Sequence, residues 1–365
     1  MYKRQIYTTI YLPIWLRMLG ARLGRRAEIA LVTQIIPDLV EIGDESFLAD
    51  GSIIGGRRLF RGHFEVARNR IGRRSFLGNS AILPSGSSVG DDCLIGVLST
   101  PAGSAGASTP DGTEWLGSPP FRLPHRQKVE GFAESTTYRP SLRLYLVRYV
   151  VDALRVLLPF YLGEAAVLAF VLYVVLASHY LPLWALFAFC PLVVTGLVMA
   201  VCLYVAAFKQ ATMGTYKPVV KPLWCLYVWW NELIMGLYES VVISIGGPLL
   251  GTPFMPWFLR RMGCKVGKWT FIETELFSEF DLLEIGNYAA LNAGAVAQNH
   301  LFEDRIMKSS HLRIGNECSI GNMSVVLYDT DLADGTYVGP LSLVMKGESL
   351  PERSRWLGIP TVRMN

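Results

Sequence analysis

Two stretches of this chain share one rhythm: an aliphatic residue about every sixth position, often followed by glycine. The first runs through Ile42-Gly43, Leu48, Ile71-Gly72, Leu77-Gly78, Ile82, Val89-Gly90 and Ile95-Gly96. The second runs through Val266-Gly267, Ile272, Ile285-Gly286, Leu291, Ile314-Gly315, Ile320-Gly321, Val325 and Val338-Gly339. A helix would repeat at 3.6 residues; this period predicts short strands wound into a parallel β-helix, one aliphatic side chain per face entering a stacked core. Glycine would give each corner its backbone freedom. The rhythm breaks between Ile54 and Arg70 and between Gln298 and Arg313, where a loop leaves the coil.

Between the two stretches the pattern changes. From Ala165 to Phe208 there is no Asp, Glu, Lys or Arg. A bilayer span needs about 20 apolar residues, so the run accommodates two, placed near Val156–Ser178 and Pro182–Phe208, with His179-Tyr180-Leu181-Pro182 as the turn. Arg139, Arg143, Arg148 and Arg155 precede it, and Lys209, Lys217 and Lys221 follow it. By the positive-inside rule both ends face the cytoplasm. Leu223–Ser244 carries Trp224, Trp229 and Trp230, which suits a helix lying at headgroup level.

The two rhythmic stretches are copies of each other. Pro13 falls on Pro256, an offset of 243, and no gap is needed from Pro13 to Ser99. Glu41-Ile42-Gly43 meets Glu284-Ile285-Gly286, Arg70-Ile71-Gly72 meets Arg313-Ile314-Gly315, and Trp115-Leu116-Gly117 meets Trp356-Leu357-Gly358 after a shift of two. The expected fold class is mainly β, two tandem left-handed parallel β-helix domains separated by a two-helix transmembrane hairpin. The expected domains are a segment 1–12, a first coil domain 13–124, a linker 125–141, the hairpin with its flanks 142–222, an interfacial segment 223–255 and a second coil domain 256–365. Met1–Gln5 reads as a translated adapter, and the chain is expected to be a fragment of a longer one.

Composition adds little beyond this. The mean hydropathy of +0.33 is too high for a disordered chain, and a net charge of +4 over 365 residues does not argue for nucleic acid. The six cysteines are scattered without a C-x-x-C pair, so a reducing compartment and no metal site are expected.

Proton-transfer chemistry needs a base, and a developing oxyanion needs a donor. Histidine, with an ordinary pKa of about 6.5, is the usual base. Of five histidines, His179 is at the turn and His125 beyond the first copy's closing tail. His300 directly follows a regular coil, with Glu303, Asp304 and Arg305 beside it; either carboxylate could hold its tautomer, and Asn299 could donate to an oxyanion. The other reading of His300 is a surface histidine without a task. Copy one has Arg57 at the equivalent position, with His63 nearby as a register-shifted counterpart. Arg57 and Arg61 belong to a basic cluster suited to a phosphate, or simply to a solvated face. Ser342 and Lys346 lie at a coil edge.

The [LIV]-G-x4 array closed by Trp-Leu-Gly-x-Pro resembles the β-helix of hexapeptide acyltransferases. The whole layout resembles the C-terminal region of epsilon-poly-lysine-synthetase-type nonribosomal peptide synthetases. Thr252-Pro253-Phe254, Pro256-Trp257-Phe258-Leu259-Arg260, the block Asn299 to Arg305 and Gly339-Pro340-Leu341-Ser342 carry that resemblance. It implies a condensation role: a free amino acid's amine attacks an aminoacyl group held as a phosphopantetheine thioester on a carrier domain. His300 would be the base, and Ser342 and Lys346 would lie along the pantetheine arm. The carrier and adenylation domains would be partners outside this chain, and an inner membrane the setting. Acetyl transfer from acetyl-CoA, a γ-carbonic-anhydrase-like zinc site and a non-catalytic scaffold docking a carrier are the alternatives. The sequence leaves oligomer formation open.

Overall fold

The computed structural model describes residues 6–103, 106–124 and 131–364. The adapter-like Met1–Gln5 and His125 lie outside the described residues. Each copy is a stack of coils whose strands form three sheets. In copy one, Arg22–Leu23, Val40–Ile42, Asn69–Ile71 and Ser88–Val89 make one face. Glu28–Ile29, Phe47–Leu48, Phe76–Leu77, Leu94–Ile95 and Glu114–Leu116 make the second, and Val32–Gln34, Ser52–Gly56 and Ile82–Pro84 the third. The coil-to-coil pairings are parallel, as in Phe47↔Phe76 and Phe76↔Leu94. Copy two repeats this with Ala290–Leu291 on Ser319–Ile320 and Val296–Gln298 on Val325–Leu327. The aliphatic positions read from the rhythm are the core: Ile42, Leu48, Ile71, Leu77, Ile285, Leu291 and Ile320 are all buried.

The corner glycines act differently from expectation. Gly72 does not adopt a positive φ; a Cβ there would stand 2.3 Å from the Gly90 carbonyl oxygen of the next coil. Close stacking of backbones is therefore what excludes a side chain. The left-handed corner positions are taken by Glu45, Arg74, Asp92, Tyr288 and Glu317.

The two breaks in the rhythm are β-hairpins. Copy one extrudes Arg58–Phe60 and His63–Glu65, paired antiparallel. Copy two extrudes His300–Glu303 and Ile306–Ser309, to which Val219–Pro222 adds a third strand.

Among the described residues, the α-helices of eight residues or more are α1 Tyr11–Met18, α2 Leu142–Tyr180, α3 Leu183–Thr212, α4 Leu226–Leu237 and α5 Phe254–Met262. Helices α2 and α3 are long and apolar enough to cross a membrane. Their middles expose Val167, Leu168, Leu172, Phe187 and Leu192. The first turns of α2 differ, burying Arg148, Val151, Asp152 and Arg155 in the body of the protein. The expectation of a headgroup-level helix needs correcting for Trp224 and Trp229. Both are buried in the core that α4 shares with copy two, because two coil stacks and α2 surround this helix.

Candidate active site

The copies pack against each other through the second hairpin. Phe302 packs against Phe47 of copy one, the rings tilted by 31° with centroids 5.7 Å apart. At the hairpin tip Arg305, 1% exposed, donates to the carbonyl oxygens of Thr137 at 3.4 Å, Ser46 at 3.2 Å and Arg26. The tip thus locks a strand of copy two over a face of copy one. Between them lies an open cleft lined by Glu28, Asp50 and Asn79 from copy one, Gln298 and His300 from copy two, Arg148 from α2 and Glu232 from α4.

His300 is the chemical centre of the cleft. Its Nδ1 donates to Glu279 Oε2 at 2.7 Å, with side-chain exposures of 16% and 0%. Glu279 Oε1 accepts from Asn231 Nδ2 at 2.7 Å, and Asn231 Oδ1 accepts from the Tyr216 hydroxyl at 2.7 Å. This chain orients the imidazole and leaves its Nε2 for the cleft, the arrangement of a general base with its orienting carboxylate. Burial by itself would lower the pKa of His300. The neighbouring Glu279 carboxylate, its hydrogen bond and the more distant Asp50 and Glu232 reverse this, and the pKa stands above the ordinary value.

The cleft is rich in carboxylates. The side chain of Asp50 is open to it, yet the surrounding protein displaces enough water to push its carboxyl pKa upward. Burial pushes Glu232 up to about 7, although Arg155 and Arg148 oppose the rise. Glu232 accepts from Arg155 at 2.8 Å, and Glu28 takes both terminal nitrogens of Arg148 at 3.1 Å.

The residues proposed around His300 from its sequence neighbourhood are placed elsewhere. Glu303 pairs with Lys308 at 2.6 Å and with Lys346. Burial raises and these two ammoniums lower its pKa, leaving it low. Asp304 sits at the hairpin turn with φ 49°. Asn299 is fully buried, and its amide donates to the Ser310 carbonyl at 3.4 Å, away from the cleft lining. The tautomer-holding carboxylate is therefore Glu279, because the hairpin carries Glu303 and Asp304 outward while the preceding coil brings Glu279 back beneath the ring. His63 lies on the exposed hairpin of copy one, with exposed Arg57 and Arg61 beside it; Arg61 covers the ring of Phe60. Ser342 is buried between coils, donating to the Pro340 carbonyl and accepting from the Gly358 amide. Lys346 is held by Glu303.

Sequence reasoning missed Glu279, Asp50, Asn79, Gln298 and Glu232. One signal was available: at the offset of 243, Glu279 meets Ile36 and His300 meets Arg57, so the copies diverge at both members of the pair.

Fold and site together define a duplicated coil protein with a buried His–Glu pair in the cleft between its copies. The chain is 39% identical over 362 residues to the delta-poly-L-ornithine synthetase of Acinetobacter baumannii (strain AB307-0294), 98% of this chain and 27% of that protein. It thus spans about a quarter of the length of this curated relative, and the resemblance to a poly-amino-acid synthetase read from the sequence is borne out. No family model matches the chain. Among solved structures, soybean serine acetyltransferase complexed with serine is 16% identical, covering 60% of this chain and 76% of that one with a TM-score of 0.26. Arabidopsis UDP-N-acetylglucosamine acyltransferase is 9% identical, covering 94% and 70%, with a TM-score of 0.22. Those two scores are too low to bear on the site.

Proposed function

We propose that this chain is an acyltransferase-like condensation unit. In this reading the amine of a free amino acid attacks an aminoacyl thioester carried on the phosphopantetheine arm of a carrier domain. The C–N bond forms, the C–S bond breaks, and the amine's proton passes through His300 to the departing thiolate. The observation that carries the reading is the His300–Glu279 pair facing a cleft lined by carboxylates. Asn79 and Gln298 bring side-chain amides to the same cleft and are the donors assigned to the oxyanion. Asp50 and Glu232 suit an acceptor that carries an ammonium group, in keeping with the ornithine polymer in the relative's name.

The coils are read as left-handed, as the hexapeptide rhythm implies. Helices α2 and α3 are read as a hairpin through an inner membrane, with both coil domains on the cytoplasmic side. Their exposed apolar middles and the flanking Arg and Lys residues support this.

The test supplies the chain, purified in detergent, with an aminoacyl-carrier thioester and free ornithine, lysine or a monoamine, and seeks the dipeptide by mass spectrometry. The expected result is product formation that His300→Ala reduces by about 10²- to 10⁴-fold. Product formed equally well by the variant would remove His300 from the mechanism. Acetylation from acetyl-CoA in place of condensation would favour the acetyltransferase reading, and no turnover with tight carrier binding would favour a scaffold.

A further inference from the structure

Amide formation from a free amino acid and a thioester removes two protons from the acceptor nitrogen and returns one to the thiolate. The acceptor arrives as an ammonium, because amines of this kind titrate at about pH 8–10. One proton leaves before attack, to free the lone pair, and the second leaves after the C–N bond has formed. His300 passes the second to the thiolate, so the first needs another acceptor.

The hydrogen bonds of the cleft narrow the choice. Both oxygens of Glu279 are engaged, by His300 and Asn231, and both oxygens of Glu28 by Arg148. Asp50 sits on an exposed coil corner of copy one, where its Oδ1 accepts from the Leu31 amide at 2.9 Å. Glu232 Oε2 accepts from Arg155 at 2.8 Å, which leaves Oε1 for the cleft. Helix α4 sets this group against the His300 site: Asn231, the preceding residue, donates to Glu279 Oε1 at 2.7 Å. Neighbouring Cα atoms are about 3.8 Å apart, so one turn of α4 both braces the carboxylate behind the imidazole and supplies a second one to the cleft.

The counter-charge on Glu232 is partial. Arg155 also donates to Asp152 Oδ1 at 3.2 Å and to the Thr8 carbonyl at 2.9 Å. Arg148 and Arg155 are shared among three carboxylates, Glu28, Asp152 and Glu232. Burial therefore prevails and carries the Glu232 pKa to about 7, where a carboxylate takes up and releases protons at neutral pH.

Resting on the condensation reading, we infer that Glu232 is a second catalytic base, whose Oε1 takes the first proton from the acceptor's ammonium before His300 takes the second. An N–H bond of the ammonium breaks and an O–H bond forms on Glu232, which then gives its proton to solvent water. The cycle releases one proton per amide and needs no further reactant. Asp50 keeps the ammonium that does not react.

The test compares ornithine with its aminooxy analogue, in which –O–NH2 replaces the side-chain amine and is uncharged at neutral pH. The purified chain receives an aminoacyl-carrier thioester, and mass spectrometry reads the dipeptide or the aminooxy-linked amide. Glu232→Gln keeps an oxygen for Arg155, and a cooperative melt verifies its fold. At about pH 7.5 it should lower kcat/KM for ornithine about 10²-fold and for the analogue at most about threefold, whereas His300→Ala lowers both. Between about pH 8.5 and 9.5 the Glu232→Gln rate with ornithine should climb close to tenfold per pH unit, following the neutral amine, while the wild type stays level. Arg148, Asp152 and Arg155 of α2, Glu28 and Asp50 of copy one, His300 of copy two and Cys225 before α4 surround Glu232, and the substitution leaves all of them in place. The wild type alone gives a further measurement: below about pH 6, kcat/KM should fall about a hundredfold per pH unit with ornithine and about tenfold with the analogue. Equal losses with both acceptors, a variant profile parallel to the wild type, or acidic limbs of equal slope would each overturn the inference and leave the condensation reading standing. No amide from the wild type with either acceptor would remove that reading and this inference with it.

Discussion

Replacing Glu279 by Gln keeps the shape of the site and removes its negative charge. In the folded protein, Glu279 is fully buried and accepts from His300 Nδ1 at 2.7 Å. A hydrogen bond to a charged group at such a site contributes about 1.5–3 kcal/mol. At 1.36 kcal/mol per tenfold change, losing it slows a step that depends on the oriented imidazolium by about 10- to 150-fold. The pH profile carries a second, independent signature. Burial lowers the pKa of His300 and Glu279 raises it past the ordinary value. Without Glu279 the lowering cause dominates, and the acidic limb of kcat/KM, which reports the free base, should move to lower pH. The linked stability has the opposite sense of pH dependence to that of a carboxylate. Because the folded-state pKa is raised, the pair stabilises the fold in full below about pH 6.5 and loses this contribution as pH rises through the raised value. Thermal melts of both proteins should therefore differ most at low pH and converge above the raised pKa. Steady-state rates of dipeptide formation between pH 5.5 and 9, and melts over the same range, check this. A variant with wild-type rate and an unmoved acidic limb would refute the pairing as the source of the base's strength.

Further outcomes follow from other parts of the structure. Asp50→Asn should raise KM for a diamino acid acceptor about tenfold, leaving kcat nearly unchanged, if the open carboxylate anchors the second ammonium; equal KM values for diamine and monoamine in both proteins would remove that role. Arg305→Ala strips three backbone carbonyls of their donor at the copy–copy junction and should cost roughly 3 kcal/mol, read from denaturant unfolding. Leu291→Ala opens a cavity in a fully packed coil and should cost about 2–5 kcal/mol by the same measurement. Gly72→Ala forces a methyl group to 2.3 Å from the Gly90 oxygen and should destabilise copy one by at least about 1–3 kcal/mol, despite ordinary backbone angles.

The elements whose identity rests on local periodicity were legible. Ile42, Leu48, Ile285 and Leu291 recur at the coil spacing because every coil must deliver its aliphatic residues to the same internal faces, so the pattern records the core directly. The run free of charge between Ala165 and Phe208 likewise predicted two long apolar helices, since no other element keeps so many apolar groups together. His300 was identifiable because few histidines fall where the coil rhythm breaks. Its partner was not. Glu279 precedes it by 21 positions, and only the winding of one coil beneath the next brings the carboxylate under the ring, whereas the sequence neighbours Glu303 and Asp304 are carried away by a hairpin. Trp224 and Trp229 show the same limit: their composition suits an interface with lipid, but packing against α2 and copy two determines that they are buried. Asp50 and Asn79 enter the site because copy two packs onto copy one, with Arg305 and Phe302 at the junction. Periodicity is a property of neighbours along the chain, so the sequence alone determined the coils, the duplication and the apolar helix pair. The cleft and its charges arise from surfaces more than 200 residues apart, and only their docking in three dimensions decided which groups meet.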